Sequence, residues 1–157
     1  MADHHRKEYL SRVHRAQDFI EANLGGKLTL DEIARAACFS PFHLHRVFSA
    51  VTGETLARFI LRLRLERAGW YLGRAPERSV TDIALETGFT SSAAFARAFR
   101  AEFAMSATEF RKLCKTDRKD GKASGDVTTY LGQVIHLPKS PDQKPLSTNR
   151  LDCPLIE

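Results

Sequence analysis

Residues 28–55 read LTLDEIARAACFSPFHLHRVFSAVTGET, and residues 79–106 read SVTDIALETGFTSSAAFARAFRAEFAMS. Set one beneath the other, they are two versions of one pattern. Ile33-Ala34 matches Ile83-Ala84 and Phe39 matches Phe89, all at an offset of 50. Past the middle the offset becomes 51, pairing Leu44 with Phe95, Arg46 with Arg97 and Phe48 with Phe99. A residue added at a turn, with the pattern then resuming, marks two copies of one structural unit.

Each copy reads as a short helix, a tight turn and a second helix. In the first copy Leu30, Ile33, Ala34 and Ala37 recur at steps of three and four, the spacing of one apolar helical face. Ser40 is placed to cap the next helix, with Pro41 at its first position, where a missing N–H costs nothing. Leu44, Val47 and Phe48 form the buried stripe. In the second copy Ile83, Ala84 and Thr87 precede Gly88, suited to a turn that needs positive φ. Ser91 or Ser92 caps a helix whose stripe is Phe95, Ala98, Phe99 and Phe103. Cys38 stands where the second copy has Gly88, so the first turn is expected to be mildly strained or differently shaped.

Working outward, TLARFILRLRLERAGWYLGRA from Thr55 has no proline before Pro76 and predicts one linking helix over about residues 55–73. An earlier helix, about 8–23, carries Val13, Ala16, Phe19, Ile20 and Leu24 and closes at Gly25-Gly26. A last short helix is expected around 107–115 with Phe110 and Leu113. The fold class is therefore all-α, about seven helices: a first unit at about 8–54, the linking helix, and a second unit at about 79–115. Beyond Lys115, KTDRKDGKASGD has the composition of a linker. A brief β-like run, VTTYLGQVIHL, then leads into a proline-rich end, and residues 116–157 are expected to form a weakly ordered tail.

At 157 residues, of which 43% are hydrophobic and 27% charged, the chain has the make-up of a soluble globular protein with little room for a second large domain. No apolar run approaches a membrane span, and MADHHRKEYL lacks a secretion signal's apolar core, so the cytoplasm is expected. Formal net charge is +5 and the pI is about 9.3, which suits a polyanion partner. Cys38, Cys114 and Cys153 are scattered without a Cys-x-x-Cys pair, giving neither a disulfide framework nor a zinc knuckle. Cys38 carries no sign of a redox switch beyond basic neighbours. His43 and His45, two apart on a helix, face different ways, and no metal or cofactor site is expected. Nor is there a serine–histidine–acid set, a carboxylate pair or a phosphate-cradling glycine loop, so no catalytic residue is expected and the chain reads as not an enzyme.

A duplicated helix-turn-helix points to double-stranded DNA, because the second helix of such a unit enters the major groove and flanking groups hold phosphates. Units reading one face of the duplex must lie about 34 Å apart. A linking helix of about 19 residues spans ~28 Å, and bent DNA would meet the shortfall. A monomer on DNA can then read two consecutive major-groove segments.

Residues from about Arg12 to Arg111 resemble the two-unit DNA-binding domain of the AraC/XylS family, through FSPFHLHRVFSAVTGET, RLRLERA and IALETGFTSSAAFARAFRAEF. That resemblance implies a sequence-specific transcription factor, usually an activator, which reads bases with the second helix of each unit. Carried over by motif, the DNA-binding residues are Phe42, His45 and Arg46 in the first unit and Ser92, Ala93, Ala96 and Arg97 in the second. FSPFH, RLRLERA and the CKTD segment also resemble the subset of the family that carries a gyrase-inhibitor-like effector domain. The 43 residues after Cys114 are too few for that domain, so ligand sensing is not expected. Ala104 and Ala107 depart from the glycine and proline usual in the family, a change expected to tighten or shift the last helix.

Each of these side chains has a duller reading. Arg46 and Arg97 can bond a guanine edge or a phosphate, or lie in a local ion pair. Phe42 can pack on a thymine methyl or cap the core. His45 can bond a base edge or sit solvated, and Ala93 and Ala96 offer only methyl contacts. On the linking helix, Arg58, Arg62, Arg64 and Arg67 suggest a phosphate clamp. Yet Glu66 sits four residues after Arg62 as a local pair, and Arg64 can be a buried anchor. Ala93, Ala96 and Ala104 also sustain a rival reading, a protein-interaction module with degenerate DNA reading that docks RNA polymerase or another partner.

Overall fold

The computed structural model describes residues 2–119. Within them the chain is all-α, as the sequence predicts, with seven helices: α1 (Ala2–Ala22), α2 (Leu30–Ala36), α3 (Pro41–Thr52), α4 (Leu56–Arg74), α5 (Val80–Glu86), α6 (Ser92–Phe103) and α7 (Ala107–Lys119). The β-like run, the proline-rich end and Cys153 lie outside the described residues. The chain divides into two compact units at Leu61–Arg62, inside α4.

In the first unit α1 packs on α2 and α3. Its buried stripe is Val13, Ala16 and Ile20, followed by Leu24, all at most 1% exposed. α1 begins earlier than the apolar periodicity indicates, because its first two turns are polar. α2 starts at a reciprocal cap: the Thr29 hydroxyl accepts from the Glu32 N–H at 3.3 Å, and the Glu32 carboxylate accepts from the Thr29 N–H at 3.1 Å. That bonding, with a second hydrogen bond from the Thr29 hydroxyl, holds the Glu32 carboxyl below its ordinary value. Ser40 caps α3 by accepting from the His43 N–H. Leu44 and Phe48 close the core, Phe48 meeting Phe59 edge-on at 5.2 Å.

The turn between α2 and α3 has the same shape as the turn between α5 and α6. Cys38 adopts φ 56° and Gly88 φ 93°, both left-handed. In each turn a phenylalanine N–H reaches back to an alanine carbonyl, Phe39 to Ala34 at 2.9 Å and Phe89 to Ala84 at 3.1 Å. Cys38 thus holds a conformation that favours glycine. Arg12 of α1 supports it by donating to the Cys38 carbonyl at 3.0 Å while lying over the Phe39 ring. Of the two alternatives expected for this turn, the strained one is met: Cys38 takes the left-handed backbone of its glycine counterpart.

In the second unit Leu63, Leu65, Ala68 and Leu72 of α4 are buried. Glu66, only 4% exposed, is paired with Arg62 at 2.9 Å. Ser79 and Ser91 cap α5 and α6, which settles the cap of α6 on Ser91. Thr87 is fully buried, and its hydroxyl donates to the carbonyls of Ile83 and Ala84. Phe89, Phe95, Phe99, Phe103 and Phe110 form one aromatic core with neighbouring centroids 4.4–5.9 Å apart. Gly69 and Gly73 let α7 approach α4: an added Cβ would stand 3.8 Å from Phe110 and 3.5 Å from the Cys114 sulfur.

α6 ends on Ala104 at φ 56°, the counterpart of Gly53, which ends α3 at φ 78°. The usual glycine is missing from the sequence but not its backbone. α7 begins at Ala107 behind a second reciprocal cap, Ser106 with Glu109, at 2.7 and 3.2 Å. It runs on to Lys119, four residues past the expected end.

Candidate nucleic-acid interface

The second helix of each unit is amphipathic, and its apolar side fixes which residues are presented. On α3, Leu44 and Phe48 point into the core, leaving Phe42, His45 and Arg46 exposed. Phe42 is 74% exposed, which excludes a core-capping role. A bare ring on a surface costs hydrophobic free energy, and here it is partly covered by the Arg46 guanidinium, 6.0 Å from the ring centroid. The unit therefore offers a flat apolar face and a fork of N–H donors side by side.

On α6 the core takes Phe95, Phe99 and Phe103. Ser92, Ala93, Ala96 and Arg97 are exposed together, at the counterparts of the α3 face. Ser91 is spent on capping, while Ser92 is the first residue of the helix. Arg100, one turn after Arg97, is also exposed. Comparing the two copies does not single it out, because its counterpart is Ser49.

The linking-helix arginines separate. Arg58 is exposed, whereas Arg62, Arg64 and Arg67 are half-buried. Arg62 is engaged by Glu66, and burial lowers the Arg64 pKa below its usual value. His43 is held in a ring stack with Phe39 and Tyr9, at 5.3 and 5.8 Å. Among the described residues no group of three or more His, Cys, Asp or Glu side chains could hold a metal ion. No described helix is long and apolar enough to cross a membrane.

Two small units, each turning its second helix outward with an exposed arginine at the same position, define a tandem helix-turn-helix protein. Comparison with known proteins agrees. A family model described as a helix-turn-helix domain matches residues 33–113. The chain is 34% identical over 94 residues to the regulatory protein SoxS of Salmonella typhimurium, a match covering 60% of this chain and 87% of that protein. It is 36% identical over 94 residues to the right origin-binding protein of Escherichia coli K12, of which it spans 32%. A solved AraC-type transcriptional regulator from Chromobacterium violaceum has 30% identity and a TM-score of 0.63, covering 67% of this chain and 93% of that one. The chain belongs to the AraC family of helix-turn-helix transcription regulators.

Proposed function

We propose that this chain binds double-stranded DNA sequence-specifically and regulates transcription in the cytoplasm as an activator. It places α3 and α6 in consecutive major-groove segments and works as a monomer on DNA. One observation carries this reading: Arg46 and Arg97, equivalent in the two units, are both exposed on the outward face of a second helix. The regulatory role of relatives such as SoxS supports it. Phosphate contacts would supply most of the affinity and base contacts the selectivity.

The test is an affinity titration against salt. Log affinity should fall linearly with log salt, by roughly 0.9 per phosphate contact. A flat line would contradict the reading.

The methyl-only surface at Ala93 and Ala96 also supports a second reading, in which the domain docks RNA polymerase or another protein partner and reads DNA weakly. Gel shifts on random genomic fragments separate the two. A preferred fragment supports sequence-specific binding, and uniform weak binding supports docking.

A further inference from the structure

Ala93, Ala96, Arg97 and Arg100 follow one another at steps of three, one and three, so they form a single stripe along α6. All four are exposed. The only carboxylate on α6 is Glu102, which is half-buried and lies off that stripe, so no acid on the helix neutralises it. On α7, Glu109 feels the charge of Arg100. Its carboxylate is already held at 2.7 Å by the Ser106 N–H. Among the described residues Arg100 makes no ion pair.

Position along the helix separates Arg100 from a base reader. Residues that meet base edges in a helix-turn-helix sit at the start of the second helix. Arg100 lies nine residues beyond the Ser91 cap, which is ~13 Å along the axis at 1.5 Å per residue. A long cation that far from the base-reading end of such a helix suits the flanking sugar-phosphate strand better than a base edge. Ala96 and Ala101 beside it are exposed and small, leaving the long side chain room to swing onto a phosphate. The first unit carries only half-buried Ser49 at this place.

Resting on the proposed DNA binding, we infer that Arg100 is a phosphate anchor found only in the second unit. By this division of labour α6 grips the duplex by charge while α3 carries most of the base reading.

The test uses the full chain with Arg100→Gln and Arg100→Lys, titrated over a salt series against a preferred duplex and a scrambled one. Arg100→Gln should weaken both duplexes by the same several-fold factor and reduce the salt slope by about 0.9, with Arg100→Lys restoring most of both. Binding unchanged at every salt, or a loss confined to the preferred duplex, would overturn the anchor. Absence of salt-dependent binding by the unsubstituted chain would instead overturn the DNA-binding reading, and the anchor with it. Circular dichroism of each variant, expected to match the parent because Arg100 is exposed, identifies any loss caused by unfolding.

Discussion

The Arg46 guanidinium lies 6.0 Å from the centroid of the Phe42 ring, one turn earlier on α3, in the most exposed large apolar site among the described residues. Stacked in this way, the pair loses little side-chain freedom on meeting DNA. Arg46→Ala is expected to cost about 1–3 kcal/mol on the preferred site if the arginine reads a base, and to weaken all sequences alike if it holds a phosphate. Phe42→Ala should cost about 1 kcal/mol, and the double variant should lose less than the sum by roughly 0.5 kcal/mol. Strict additivity in that cycle would show that the stack plays no part in binding.

Ala104 and Gly53 end equivalent helices in the same left-handed conformation. Since an L side chain resists that conformation, Ala104→Gly should stabilise the protein by about 1 kcal/mol in urea unfolding. The reverse change, Gly53→Ala, should cost a similar ~1 kcal/mol from backbone strain alone. No atom lies within 4 Å of the added Cβ there, so a steric clash contributes nothing. A destabilising Ala104→Gly would contradict this account of the turn.

Glu66 keeps a carboxylate at 4% exposure with Arg62 at 2.9 Å. Arg62→Ala leaves that charge under-compensated and should destabilise the fold by about 3 kcal/mol, whereas Arg62→Met with Glu66→Met should recover much of the loss. Equal stability of the single and double variants would show that the pair matters little.

The two reciprocal caps predict a dependence on acid. Hydrogen bonds from Ser106 hold the Glu109 carboxyl below its ordinary 4.5, and those from Thr29 do the same for Glu32. A lowered carboxyl stabilises the fold above its unfolded value, and the benefit is lost as pH falls from 4.5 through the folded value. Glu109→Gln should therefore lower stability at neutral pH and shrink the fall in urea midpoint between about pH 6 and about pH 3. An unchanged fall would remove Glu109 from the explanation.

Most of this fold is legible in the chain because both units repeat the same apolar spacing. Ile33 and Ile83, or Phe48 and Phe99, can only be matched by burying the same faces. Features that do not follow apolar periodicity are less legible in the chain. The first two turns of α1 are polar, so the helix start at Ala2 has no stripe to announce it. Cys38 and Ala104 take glycine-like backbone angles because surrounding bonds, such as Arg12 to the Cys38 carbonyl, hold the chain there. Composition does not carry that information. Arg100 escapes a comparison of the copies because Ser49 offers no arginine to pair with it. The Arg62–Glu66 pair, by contrast, follows directly from its spacing.

Selecting sequences bound by the full chain from a random DNA pool tests the central claim most directly. A bipartite site should emerge, with its halves centred about 10 base pairs apart and the half contacted by α3 more sharply defined than the other. A pool that stays unenriched after repeated rounds, or a site with one half only, would contradict two-helix sequence reading.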